Sequence, residues 1–266
     1  MKKLESNDRK SFAVITPASS GNIAQEAGQE WTWNGRPDNT KNILGSLRDQ
    51  KNAPDTCTLQ TTLTTTESLK KFQYSCMDPP QDFMWKLCFN DLKSKYMKVV
   101  DEEIAAEEIG EKRGKHRQET AFEIAKTQGI IGRDKSETEE RERLFKLESY
   151  ERVDATLTTD EAEALVEAGN IMACNFRLSR NYFDLRPGEV YVYDRLCPYI
   201  HARSGMPVSH AVTVIGHGGQ ETRLQGPVRH VHFQNSEGYP HDYLLDQYVV
   251  LSPLRGPAVW ILDALA

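Results

Sequence analysis

The chain has 266 residues, a net charge of −6, 38% apolar residues and 27% charged residues. That length fills one large domain or two lobes sharing a cleft. The acidic balance gives no electrostatic case for nucleic acid or an anionic membrane surface as partner, and no run approaches the roughly eighteen apolar residues of a membrane-spanning helix.

Residues 1–30 read as a polar N-terminal extension, broken by the apolar run Phe12-Ala13-Val14-Ile15. Lys2, Lys3, Arg9 and Lys10 precede no apolar stretch of the secretory type, so no signal peptide is expected there. Trp31, Trp33 and Asn34-Gly35-Arg36-Pro37 mark an entry turn. From Cys57 to Phe72, Leu59, Leu63 and the Thr66–Leu69–Phe72 side recur near period 3.6 and predict a helix. Asp55 or Thr56 is expected to cap it. Threonine is a mediocre helix former, so burial must hold this helix. Met77-Asp78-Pro79-Pro80 then stops it, because paired prolines cannot continue a helix.

Charge is dense from 98 to 148, and Asp101-Glu102-Glu103 and the run Glu137 to Arg143 are expected on solvated helix faces. Leu157-Thr158-Thr159-Asp160-Glu161 reads as a helix start with acids in its first turn. After Tyr150 the composition shifts towards Val, Tyr, His and Gly. Val190 to Tyr193, Ala211 to Ile215, Val228 to Phe233 and Tyr248 to Leu251 predict strands. A helical half followed by a β-rich half makes the expected class α+β.

The five cysteines, Cys57, Cys76, Cys88, Cys174 and Cys197, are odd in number and scattered, which argues against a disulfide framework. No Asn-x-Ser/Thr acceptor occurs. Both suit a reducing compartment, cytoplasmic or nuclear. His230 and His232 share a strand face as metal ligands would, but no third ligand stands at suggestive spacing. They are expected at solvent or at a lobe rim, with no metal. No phosphate-cradling glycine pattern occurs, so no cofactor is expected.

Two distant segments hold the residue types of nucleophilic catalysis. One runs from Gln50 through Asp55 and Thr56 to Cys57 at a helix start. The other is Ser209-His210-Ala211-Val212-Thr213-Val214-Ile215-Gly216-His217-Gly218, followed by Val231-His232-Phe233-Gln234-Asn235. His210 starts a strand with Val212 and Val214 on its face, and Asn235 is expected to share a strand face with Phe233 and Val231. A thiol is a weak nucleophile at neutral pH until a helix N-terminus and an imidazole make it a thiolate. Taken singly, Cys57 could be a small buried apolar residue and His210 a satisfied core histidine. Asn235 could be an ordinary turn residue before Ser236-Glu237-Gly238, and Gln50 a solvated surface residue.

In this order, Gln50, Cys57, His210 and Asn235 resemble the papain-like cysteine proteases. Glu67 lies ten residues after Cys57, as in that family. Thr120 to Lys126 with Gly129-Ile130, Glu161 to Phe176, and Phe183, Gly188, Val190 and Tyr191 resemble its later elements. The resemblance implies two lobes facing across a cleft, a helical one at 31–152 carrying Cys57 and a β-barrel-like one at 153–266 carrying His210 and Asn235. It implies that Cys57 attacks a carbonyl, His210 acts as base and then acid, and Asn235 orients the ring. Gln50 and the Cys57 N–H would form the oxyanion hole.

The implied function is a thiol peptidase or related amide hydrolase acting on polypeptide, with deamidation or acyl transfer using the same groups. The alternative is a weak or inactive scaffold that binds a protein partner. The sequence departs from the family at several points. Thr58 stands where tryptophan follows the nucleophile, Gln50 lies one residue further from Cys57, and a cysteine of the preceding turn is absent. Glu237 stands where relatives place an indole over the His–Asn bond. A carboxylate admits water there, so a loosened His210–Asn235 contact and weak peptidase activity are expected. Only 56 residues precede Cys57, which implies a divergent member, active or degenerate, without the long inhibitory propeptide of secreted relatives.

Overall fold

The computed structural model describes residues 31–33, 43–46, 48, 56–108, 117–136, 139–151, 159–168, 170–184, 190–201, 205, 207–222, 226–236 and 247–251. Helix α1 spans Cys57–Ser75, starting where the periodicity puts it and running on past Phe72 to the turn before Pro79. Thr56 holds the N-cap position, but its side chain makes no capping hydrogen bond; Asp55 lies outside the described residues.

Burial does hold this threonine-rich helix, and each hydroxyl needs an answer inside it. Thr62 Oγ1 donates to Thr58 O at 2.9 Å and Thr66 Oγ1 to Thr62 O at 2.7 Å, the back-bonding available to threonine in a helix. Gln118 Nε2 donates to Thr62 Oγ1 at 2.8 Å, and Thr65 and Thr213 share a hydroxyl bond at 3.0 Å.

Helices α2, Phe89–Glu108, and α3, Arg117–Thr127, pack beside α1. Their apolar residues join Leu59, Leu63, Leu87, Leu92, Phe122, Ile130 and Phe145 in one buried cluster. A small antiparallel sheet closes it, made of β2 (Lys86–Leu87), β3 (Ile130–Ser136) and β4 (Glu139–Phe145). Glycine is required at two places here. Gly129 turns from α3 into β3 at φ +78°, and a Cβ on Gly132 would meet the Phe145 ring at 2.6 Å.

This hairpin corrects the expectation of a solvated helix face between 137 and 143; Glu137 itself lies outside the described residues. Alternating charge signs serve a two-stranded ribbon as well as a helix. Register sets Arg133 against Glu142 and Asp134 against Arg141, with Arg133 Nε 2.9 Å from Glu142 Oε1. Opposite charges facing across an antiparallel pair stabilise it.

The larger sheet holds β1 (Trp31–Thr32), β5 (Met172–Arg177), β6 (Val190–Tyr191), β7 (Ser209–Thr222), β8 (Gly226–Gln234) and β9 (Gln247–Leu251). Its order is β1-β7-β8-β9-β6, with β5 also on β7. All pairings are antiparallel except β6 with β9. The result is a mixed helix and antiparallel-sheet, α+β architecture. Strand β7 outruns the expected Ala211 to Ile215. The glycines from 216 to 219 look like a breaker in sequence, but each pairs with a residue of β8 or, through Gly216, also with β1. Helix α4, Thr159–Glu167, starts with Asp160 and Glu161 as expected and packs on β7.

Trp33, Ile43 and Leu44 join Phe176, Tyr191, Val212, Val214, Val231 and Phe233 in a second apolar cluster. The chain just after residue 30 therefore packs on the same sheet that carries His210. Trp33 Nε1 donates to Val166 O of α4 at 3.2 Å.

His230 and His232 are buried, not at solvent or a rim. They face Gly218 and Gly216 across the ladder, and the absent side chains leave room for two rings. The rings stack at 5.1 Å with 3.1 Å between their Nε2 atoms. Among the described residues no cluster of three or more His, Cys, Asp or Glu could hold a metal ion, and no helix is long and apolar enough to cross a membrane.

Burial, then the neighbouring His230 and His217, push His232 down to about 3. An unfolded histidine titrates near 6.5, so below that pH the unfolded chain binds the extra proton and stability falls. The slope is about 1.4 kcal/mol per pH unit for one such group. Urea denaturation of His232→Asn should show a flatter pH dependence than the parent between pH 6.5 and 5. Parallel curves would refute the assignment.

Glu67 is fully buried. It accepts from Ser46 N–H at 2.8 Å and Leu87 N–H at 2.6 Å, and from the Arg48 guanidinium. One carboxylate thus ties α1 to β2 and to the segment around Ser46. Glu67→Ala strands a buried guanidinium and two amides, and should cost about 3–5 kcal/mol in urea denaturation at pH 7. A loss below about 1 kcal/mol, the level of an exposed pair, would show that the tie is dispensable.

Candidate functional site

His210, near the start of β7, lies opposite Phe176 of β5. Its ring is buried, edge-on to Phe176 at 5.8 Å and tilted against Tyr182 at 5.9 Å. His210 Nε2 lies 2.7 Å from Asn235 Oδ1. Asn235 sits one residue past the end of β8 at Gln234, and the register that pairs Phe233 with Val214 puts it on the side of the sheet that carries His210.

Asn235 is held from three sides. Its Oδ1 also accepts from Ser236 N–H at 2.7 Å, and its Nδ2 donates to Tyr182 Oη at 3.1 Å. Backbone N–H can only donate, so the atom facing Ser236 is the oxygen. The same oxygen faces His210 Nε2, so Nε2 must carry the hydrogen. The other ring nitrogen, Nδ1, then presents a lone pair.

Cys57 is the first residue of α1, and the His210 side chain acts on its thiol by hydrogen bonding and charge. Burial is the largest single influence and pushes the thiol up. The hydrogen bond and charge of His210, with hydrogen bonds to the backbone of Ala211 and Thr58, together outweigh it and hold the thiol below its ordinary value. The uncapped helix start leaves first-turn N–H groups to serve the sulfur and whatever bonds to it.

Cys57, His210 and Asn235 therefore meet in one row. Gln50 lies outside the described residues, as does Glu237. The expected loosening of the His210–Asn235 contact is not met, since 2.7 Å is a full hydrogen bond. The physical reason is the enclosure by Phe176, Tyr182 and the Ser236 N–H.

Tyr182 and Phe176 escaped the sequence reading as site residues. The family-like run after β5 starts at Phe183, which is 53% exposed, while its neighbour Tyr182 is 3% exposed. The available signal was a tyrosine beside an Asn181 in a short polar stretch. The 3-10 turn Arg180–Asp184 that aims it inward has no periodic signature.

Tyr182→Phe removes the acceptor for Asn235 Nδ2 and should cost about 0.5–1.5 kcal/mol of stability. It should also move the pH midpoint of Cys57 alkylation by iodoacetamide upward, since a freer amide holds the imidazole less well. An unchanged alkylation profile would show that Tyr182 only packs.

No family model and no curated protein matches the chain. Among solved structures it is similar to proCathepsin B S9 from Trypanosoma congolense, at 11% sequence identity and TM-score 0.49, covering 85% of this chain and 72% of that one.

Proposed function

We propose that the protein is a papain-like thiol hydrolase of amide bonds in polypeptides. Cys57 is the nucleophile, His210 the base and then the acid, and Asn235 the residue that orients the ring. The observation that carries this reading is the row of thiol, imidazole and amide. Asn235 Oδ1 holds one ring nitrogen at 2.7 Å, and the same ring pulls the Cys57 thiol down. On this reading the lobe of the nucleophile runs to about residue 152 and 153–266 form the lobe of the base, with 1–30 as an extension and the segment of Trp31–Trp33, Ile43 and Leu44 packed on the sheet of the base.

The chemistry follows from the tautomer. Nδ1 takes the thiol proton, giving thiolate and imidazolium. The thiolate attacks the substrate carbonyl carbon, forming a C–S bond and an oxyanion. The Cys57 N–H and the Gln50 amide are the proposed donors to that oxyanion. The imidazolium gives its proton to the amide nitrogen, the C–N bond breaks, and an amine leaves. Water, losing a proton to Nδ1, then attacks the thioester. Collapse releases the carboxylic acid and returns the thiol.

The test is selective labelling by a peptidyl epoxide, read by mass spectrometry. Cys57 should react ahead of Cys76, Cys88, Cys174 and Cys197. Cys174 is buried with its thiol pushed up to about 12 and should stay silent. Because His210 supplies the main downward pull on Cys57, His210→Ala should raise the pH at which labelling sets in. It should also cut peptide hydrolysis by a factor on the order of 10²–10⁴. Equal labelling of exposed Cys76 and Cys197, with no hydrolysis by the parent, would turn the reading towards a binding scaffold.

A further inference from the structure

The catalytic imidazole is the first ring of a series that runs to the surface. Tyr182 lies 5.9 Å from His210, Phe183 5.4 Å from Tyr182, and Tyr199 5.1 Å from Phe183. Burial falls along it. His210 and Tyr182 are enclosed, whereas Phe183 and Tyr199 are exposed, as are Leu196 and Ile200 on the segment that carries Tyr199. Arg180, Asp184 and Arg195 are exposed around these apolar side chains. An apolar centre with a polar rim is the anatomy of a recognition surface.

The surface is built, not loose. Ser179 is fully buried. It bonds Tyr191 Oη through both its N–H and its hydroxyl at 2.8 and 2.7 Å, and its hydroxyl accepts from Asp194 N–H at 2.9 Å. Arg180 N–H donates to Cys197 O at 3.1 Å, and Tyr199 N–H to Leu178 O at 2.9 Å. Asn181 Nδ2 donates to Val192 O at 2.9 Å. The two segments that display Phe183 and Tyr199 are thus laced together, so a ligand ordered on them meets a preorganised face.

Direction comes from the chemistry. Nε2 of His210 faces Asn235, which leaves Nδ1 for the thiol of Cys57, and Tyr182 lies against the same ring and takes the Asn235 amide. The proton that Nδ1 delivers goes to the leaving nitrogen, so the departing half of the substrate is the half that passes His210 towards Tyr182. An extended chain covers about 3.3–3.6 Å per residue, which brings roughly the second to fourth residue after the scissile bond over Phe183 and Tyr199.

We propose that Phe183 and Tyr199 form a subsite for apolar side chains on the leaving, C-terminal side of a polypeptide substrate. This rests on the hydrolase reading and adds the substrate class. An enzyme so built favours extended polypeptides with Leu-like or aromatic residues shortly after the cleaved bond. It gains nothing at this subsite from amides whose leaving group is a small chromophore.

The test digests a defined peptide library with the full chain and sequences the products, beside assays on short coumarin amides. The parent should enrich apolar residues at the second to fourth leaving-side positions. Phe183→Ala and Tyr199→Ala should abolish that enrichment and lower kcat/KM on matching peptides on the order of tenfold or more. The acyl-side preference and coumarin-amide rates should stay as in the parent. Cleavage with no leaving-side preference, or with one that neither variant moves, overturns the subsite and leaves the hydrolase reading standing. If the parent cleaves nothing, the hydrolase reading falls. Retention of apolar library peptides by the parent but not by Phe183→Ala would then still support the surface, and equal or no retention would overturn it.

Discussion

Helix α1 touches both apolar clusters, and its seat sets how Cys57 meets His210. Leu59 and Leu63 belong to the helix-side cluster, while Phe72 packs against the sheet-side one. The close approach is made possible by short side chains. Thr65 meets Thr213 hydroxyl to hydroxyl at 3.0 Å, and a Cβ on Gly45 would fall 2.5 Å from Thr64 O. A leucine at Thr65 would push the helix off the strand; a valine would leave the Thr213 hydroxyl without this bond. The poor helix propensity of threonine is the cost of an interface this tight. Glu67 then fixes the rotation of the helix, because it must face Arg48 and two amides at once.

How much of this was legible depended on whether the signal was local. The period of α1, the acids of α4 and the alternation in β7 and β8 are local patterns, and they were readable. The charged run after residue 137 was misread because alternating signs fit both a helix face and a strand ladder. What decided it was pairing with the adjacent β3 in a hairpin, which the charge pattern of the run does not reveal. The buried His230 and His232 were missed for the same reason. Their space exists because Gly216 and Gly218 lie across the ladder, and register cannot be read from one strand.

The candidate site shows the same division. Cys57 at a helix start and His210 at a strand start could be read from residue type and pattern. The partner of Asn235 could not. Tyr182 lies in a short 3-10 turn with no period to flag it, and its hydroxyl reaches an amide far along the chain. Glu237 suggested a wetter His–Asn bond, an inference from one neighbouring position. The described surroundings of the bond are Phe176, Tyr182 and Ser236, and among them it stands at hydrogen-bond length.

An amide is well suited to the third place in this row. On the proposed hydrolase reading, moving the proton from Cys57 to Nδ1 converts a neutral pair into two opposite charges in a buried setting, where an unpaired charge is costly. The bond from Nε2–H to Asn235 Oδ1 survives that transfer unchanged in geometry and strengthens as the ring becomes cationic. A carboxylate in its place would pull harder on the imidazolium and add a buried charge that the thiolate would repel. The neutral amide thus fixes the ring in both states without fixing which state is occupied. That choice is left to the pull of His210 and then of the backbone around Cys57 on the sulfur, and to the burial that opposes them.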